Sequence, residues 1–439
     1  MKKYYLAIDI GATSGRHILA HYDENNELVY EEVYRFLNKT IKKDGNLFWD
    51  VDLLFKNIID GLKECKKINK IPTFIGIDTF GVDYCLLDEN DKLVRDIYSY
   101  RDFRTDISKL EFEKEMGIDT LFKKTGVYPH SFNTLYQLYD DKMHGLLKRT
   151  KTIMYYPCYL AYLLTGVKNN EISIASTSGM LSSKTRDYDD DILNILGINK
   201  DIFAPTIEAT NIIGELKKDI QEEVGFNAIV KQVYCHDTAS ATIGAKTNKD
   251  EIFISSGTWS LIGVINNEYT NSLEIFNQGF TNELNSKEEI RFLKNIVGMF
   301  IINEIEKEQK ERINILTIVE MAKKGTNYKE IFDPTEHKFL APASMEQTIK
   351  EDFIARKIEP PKNLEELFYC VYNSLAHAYK KAVEDIEEIT HKKYDTIKVF
   401  GGGSKNKFLN QLTEDITKKR VIEGPSEATA IGNIYSLLD

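Results

Sequence analysis

The stretch "YLAIDIGATSGRHILA", residues 5–20, sets one carboxylate, Asp9, between two apolar runs and follows it with a turn of almost no bulk. The first run fills residues 4–10 and the second 16–22, and "RHILAHY" carries no helical period. The spacing therefore predicts two strands joined at a tight tip. Such a tip offers backbone N–H groups, with the hydroxyls of Thr13 and Ser14, to phosphate oxygens. Gly11 lets the main chain come close, and Arg16 adds positive charge. Neither commoner phosphate loop fits: there is no G-x-x-x-x-G-K-[ST], and Gly11 and Gly15 open a strand instead of a helix. An acid beside a phosphate is repulsive unless a cation lies between them. Asp9 is thus a candidate magnesium ligand, directly or through water. The competing reading is an acid that accepts turn hydrogen bonds at a strand end.

The layout returns at "EIFISSGTWSLIGVI", residues 251–265, where Ser255, Ser256, Gly257 and Thr258 form the turn without an acid. This repeat predicts an α/β chain of two related domains, 1–245 and 246–439, whose two hairpins could grip a triphosphate across a cleft. Late in the chain "TIKVFGGGSKNKFLNQL" reads as strand, glycine loop and helix. Its bare backbone at Gly401–Ser404 suits a purine or ribose. A proton acceptor is still needed, and "YCHDTASAT", residues 234–242, supplies Asp237 near the domain boundary. Phosphoryl transfer asks for in-line positioning, charge neutralisation and one acceptor for the attacking hydroxyl's proton. An Asp held against that hydroxyl does this at neutral pH; the alternative is an Asp that caps a helix.

At 439 residues the chain is too long for one hydrophobic core. Its 57 basic and 68 acidic residues leave a formal charge of −11, which argues against a nucleic-acid or membrane-surface partner but not against a small phosphorylated ligand. No run approaches the ~20 apolar residues that span a bilayer, and the N-terminus reads as a first strand instead of a signal peptide. Five scattered cysteines with no C-x-x-C fit a reducing cytoplasm and no zinc site. Two helices stand out. One has its apolar face at Leu53, Leu54, Ile58, Ile59 and Leu62. The other, at 360–390, opens on the pair Asn363 and Glu366 and faces a core with Leu367, Val371, Leu375, Ala378 and Val383.

The ordered series "IDIGATSGR", "FGVDYCLLDE", "YRDFRT", "FNTLYQL", "HDTASAT", "SSGTWSLIGV", "RFLKNIVG" and "GPSEATAIGN" resembles the FGGY carbohydrate kinases from about residue 5 to 434. The resemblance implies a duplicated actin-like (ribonuclease H-like) fold, with sugar and ATP meeting in the cleft between domains and Mg2+ as cofactor. It also implies phosphorylation of a ketose at its 1-hydroxyl. L-rhamnulose is the expected ketose, and L-fuculose or a pentulose the alternatives. A non-catalytic actin-like ATP binder is the rival from another class. By the same carry-over, Asp237 is the general base, and His236, Thr238, Gly81 and Asn295 orient the sugar. Ala12, Thr13, Ser14, Gly15, Arg16, Thr258 and Gly402 hold the nucleotide. Asn303 takes the place of the family's Gln in that set, and Cys235 stands where the family has Gly. To these we add Asp83, a carboxylate on the "FGVD" turn able to accept sugar hydroxyl hydrogens. A cytoplasmic monomer or homodimer completes the expectation.

Overall fold

A computed structural model describes residues 2–340 and 342–438. The opening residues form strand β1 (Tyr4–Ile10), which turns back as β2 (Ser14–Tyr22) and continues as β3 (Leu28–Leu37). These three make an antiparallel meander because each strand alternates its side chains across the sheet and is joined by a short polar turn. Helix α1 (Val51–Lys67) then crosses over, capped by Asp50, so that β4 (Pro72–Thr79) lies parallel to β1. Two later strands, β5 (Ile212–Glu215) and β6 (Ile229–Lys231), complete a sheet of order β5-β6-β4-β1-β2-β3.

The second half repeats this plan. Strands β7 (Ile252–Ser256), β8 (Trp259–Asn266), β9 (Phe280–Leu284), β10 (Ile290–Val297), β11 (Thr396–Phe400) and β12 (Arg420–Glu423) form a sheet of order β9-β10-β8-β7-β11-β12. Here β7, β8 and β10 correspond to the first meander, and β11 and β12 to the parallel pair β4 and β6. The shared core order is what a duplicated actin-like fold requires.

Helix α2 (Asp237–Gly244) follows β6, α3 (Phe300–Lys307) follows β10, and α4 (Leu364–Thr390) is the long helix expected from sequence. Helix α5 (Lys407–Thr417) follows the glycine loop, and α6 (Ala428–Leu438) ends the described chain. One buried apolar cluster fills each half. Helix α6 lies late in sequence yet contributes Ala430, Ile434 and Leu437 to the first cluster, and it packs on β1 and β4. Among the described residues no helix is long and apolar enough to cross a membrane, and all five cysteines are free and buried.

Two local expectations, Leu53 and Ala378 as core residues, change. Leu53 is exposed, because the buried face of α1 runs through Leu54, Ile58, Ile59, Leu62 and Cys65, and Ala378 is only partly buried. The strand after the "FGVD" turn, Tyr84–Leu87, does not pair with β4; it pairs with Thr152–Tyr155 in a separate ribbon. The left-handed residue of that turn is Val82, at φ +69°, and not Gly81.

Candidate active site

The β1–β2 register places Asp9 directly opposite Arg16, so their side chains share one face of the sheet. Arg16 donates to Asp9 Oδ2 from Nε at 3.0 Å and Nη2 at 2.7 Å, and its Nη1 pairs with Glu427 near the end of the chain. Arg16 thus supplies a fixed cation beside Asp9. Among the described residues no three His, Cys, Asp or Glu side chains are grouped to hold a metal by themselves. Asn38 braces the tip, donating its side-chain amide to Gly11 O and its backbone N–H to Thr13 O, both at 2.9 Å. Thr13 is exposed and Ala12 and Ser14 are partly so, leaving the tip open to a ligand. Gly15 is buried, and a β-carbon there would collide with the Phe36 ring.

The second hairpin is built differently. Thr258 is exposed at its tip, while the carbonyls of Gly257 and Thr258 accept from Met299 N at 3.0 Å and Phe300 N at 3.1 Å at the start of α3. Asn303, one turn along α3, is exposed beside them. In the glycine loop, Gly401 has φ +84° and a β-carbon there would lie 2.9 Å from Ser256 O. Gly403 packs against the Ser256 side chain, whereas Gly402 faces open space. Gly401 N donates to Pro425 O at 3.0 Å. A continuous rim thus runs from the first hairpin through Glu427, Pro425 and the glycine loop to the second hairpin. It joins Ala12, Thr13, Ser14, Arg16, Thr258, Gly402 and Asn303.

Asp237 lies beside α6, where Thr429 Oγ1 is 3.4 Å from its carbonyl oxygen. Thr79, at the end of β4, donates its N–H to Cys235 O at 2.9 Å, which seats the start of α2 against the strand ends. Asp237 is the first residue of α2, and the N-cap position before it falls to His236, which makes no side-chain capping bond. Its side chain is 35% exposed and accepts from Thr238 Oγ1 at 3.2 Å. Burial raises the Asp237 carboxyl above its ordinary value; His236 opposes the rise and Asp9 adds to it. His236 places Nε2 3.4 Å from Asp237 Oδ1. A β-carbon on Gly81 would lie 3.2 Å from Thr177 and 3.3 Å from that same Nε2, so the bare Gly81 backbone borders the imidazole.

Asp83 departs from expectation. It is 1% exposed, and its carboxylate already accepts from Trp49 Nε1 at 2.6 Å, Tyr100 N at 3.1 Å and Gln137 Nε2 at 3.3 Å. It ties three segments together beneath the turn and is not an open acceptor for a sugar. Val82, between Gly81 and Asp83, is β-branched yet left-handed. The strain is held because Val82 N takes Thr177 Oγ1 at 3.1 Å and Val82 O takes Thr134 Oγ1 at 2.6 Å. Asn295 is partly buried on β10, on the same strand face as Arg291, whose guanidinium touches His236.

One residue of the site went unread in the sequence. Asp78 pairs in register with Asp9 on the neighbouring strand, is fully buried, and accepts from Asn433 Nδ2 at 2.5 Å. Burial and the Asp9 charge hold its carboxyl well above the ordinary range. The available signal was that "IGIDT" at 75–79 copies the "LAIDI" of 6–10.

Comparison with known proteins agrees with this architecture. The chain matches the N-terminal domain of the FGGY family of carbohydrate kinases over residues 4–244 and the C-terminal domain over 252–437. It is 41% identical to a rhamnulokinase of Halalkalibacterium halodurans, covering 99% of this chain and 92% of that protein. Identity to a Bacillus subtilis rhamnulokinase is 38%, over 98% and 89% of the two chains. Among solved structures, a ligand-bound xylulose kinase from Lactobacillus acidophilus superposes with a TM-score of 0.80 at 18% identity, covering 99% of this chain and 89% of that one. Plasmodium falciparum glycerol kinase with ADP gives 0.74 at 15% identity, with the same two coverages of 99% and 89%. With family models matched over both halves and the two sheets repeating one strand plan, the chain belongs to the FGGY family of carbohydrate kinases.

Proposed function

We propose that this kinase transfers the γ-phosphoryl group of ATP to the 1-hydroxyl of L-rhamnulose, giving L-rhamnulose 1-phosphate and ADP. The observation that carries the transfer is Asp237, a partly exposed carboxylate of raised basicity beside α6. The ketose is taken from the curated rhamnulokinases, of which seven lie between 34% and 41% identity.

In this reading Asp237 accepts the 1-hydroxyl proton as the oxygen attacks phosphorus in line with the departing ADP oxygen. His236, Thr238, the Gly81 backbone and Asn295 orient the sugar. The tip at Ala12–Ser14 and Thr258 cradle phosphates, and Gly402 and Asn303 border the nucleoside. Arg16 is tied to Asp9 and Glu427 and adds charge to the hairpin without leaving its ion pairs. Both Arg16 bonds land on Asp9 Oδ2, so Oδ1 is the oxygen that would hold magnesium, directly or through water, with triphosphate and water completing its shell. When bound, that ion neutralises phosphate charge. The boundary between the halves is placed near residue 245, and the enzyme is read as a cytoplasmic monomer or homodimer.

The test is ADP release coupled to a reporter, with kcat/KM compared across L-rhamnulose, L-fuculose and a pentulose. L-rhamnulose is expected to give the highest value. A higher value for another ketose would reassign the substrate, and failure of every sugar to stimulate ADP release would favour the non-catalytic ATP binder.

A further inference from the structure

Arg291 on β10, at 0% exposure, is the largest fully buried side chain among the described residues. A guanidinium without solvent is costly unless it is matched, and here only one of its nitrogens is well employed. Nη2 lies 3.0 Å from Glu283 Oε2, 3.1 Å from His236 Nδ1 and 3.4 Å from Leu284 O, whereas Nε and Nη1 are buried without a partner. Glu283 Oε2, on the adjacent strand β9, is itself 3.3 Å from His236 Nδ1. The second half of the molecule thus reaches across to grip one edge of an imidazole that belongs to the first half.

That grip leaves the two ring nitrogens in unlike settings. Nδ1 is turned into the protein against the Glu283–Arg291 pair. Nε2 is turned toward Asp237 Oδ1 and the Gly81 turn. Arg291 donates and does not give up its hydrogens at any ordinary pH. Its approach at 3.1 Å therefore meets the Nδ1 lone pair, while Glu283 Oε2 faces the same guanidinium as an ion pair and takes no hydrogen bond of its own. The imidazole hydrogen is left on Nε2, since the bond made by one ring nitrogen sets the state of the other.

We propose that Glu283 and Arg291 are positioning residues for sugar phosphorylation, holding His236 by its Nδ1 edge so that an Nε2–H is presented to Asp237 and the sugar. This inference rests on the proposed ketose kinase reading. Asp237 needs a steady orientation to receive a proton, and its carboxylate meets the His236 ring and the Thr238 hydroxyl. The charged groups around the imidazole are Asp237 on its own helix and Glu283 and Arg291 on the second sheet. His130 lies beyond Glu283, and Glu171 and Glu289 beyond Arg291. Burial alone would raise the Glu283 carboxyl, but its neighbours, Arg291 foremost, bring it down to about 2.

Two measurements test this in the full-length enzyme. The first is a double-mutant cycle on ketose-stimulated ADP release. Glu283→Gln is expected to lower kcat about tenfold to a hundredfold, the range seen when a residue orienting a functional His is lost, with KM for ATP unchanged. In a His236→Gln background the same change should cost less than about twofold, because its route of action is gone. Multiplying losses, or no loss from Glu283→Gln alone, would overturn the proposal. The second is a long-range 15N–1H spectrum of histidine-labelled enzyme, with His236→Gln to assign the resonance. Wild type is expected to show the Nε2–H form at pH 7 and Glu283→Gln a mixture with Nδ1–H; an Nδ1–H form in wild type would also overturn it. The spectrum needs no substrate, so a wrong ketose sinks the functional reading without touching this result.

Discussion

Asp237 is where residue identity bears most directly on rate. Asp237→Asn keeps the size and removes the acceptor, so kcat should fall by about two to four orders of magnitude while ATP affinity, measured by titration calorimetry, is retained. Because its carboxyl is raised and must be ionised to act, kcat/KM for the ketose should climb with pH through a midpoint above the ordinary carboxylate range. A pH profile with its acid limb at the ordinary Asp value would contradict this. Asp83 gives a stability prediction of opposite flavour. Burial pushes its carboxyl up to about 7 against bonds from Trp49, Gln137 and Tyr100. A raised carboxyl stabilises the fold fully below its unfolded value and loses that contribution as pH rises through the folded one. Urea unfolding between pH 5 and 8 should therefore show stability declining, and Asp83→Asn should flatten the decline. Asp237 stood out in "HDT" as a candidate, with helix capping as the equal alternative on local sequence. The role of Asp83 was not legible, because its three donors come from residues 49, 100 and 137, which only folding brings together.

At the scale of single elements, periodicity and caps carried most of the information. The long helix begins where Asn363 accepts from Glu366 N at 2.9 Å, as its sequence predicts. The reciprocal bond goes one residue further back, with Glu366 Oε2 accepting from Lys362 N at 2.7 Å instead of from the cap's own N–H. Asn363→Ala should cost about 1 kcal/mol of unfolding free energy, read as a lower urea midpoint with an unchanged slope. Hairpins were equally legible, since their alternation and small tips are local properties. What a hairpin glycine is for was not local: Gly15 answers to Phe36, which arrives on β3.

For the whole molecule, the decisive feature is the crossing of α2 and α6. A β-carbon on Gly432 would collide with the Ser240 carbonyl, and one on Gly244 with the Ala428 carbonyl. The two glycines let these helices touch backbone to backbone, while Asn433 on α6 reaches Asp78 and Thr429 lies 3.4 Å from Asp237 O. Neither carbonyl can yield without moving a helix. Gly432→Ala is therefore expected to lose about 1–3 kcal/mol of stability and to lower kcat as well, because the helix that starts at Asp237 shifts. Thermal unfolding and ketose-stimulated ADP release on the same preparation check both, and a variant with full stability and full activity would refute the claim.

By itself the sequence determined the strands, the two hairpins, the repeat and the bare glycine loop, all of which follow from short-range sterics and the alternation of apolar residues. It also marked Asp237. Only the tertiary structure decided that Arg16 already neutralises Asp9, that Asp78 stands beside it, and that Glu283 and Arg291 hold His236 from the other half. The reason is physical: charges act through distance in space, and pairs such as Arg16 with Glu427 or Asp78 with Asn433 are set by sheet register and helix crossing, which no local pattern records.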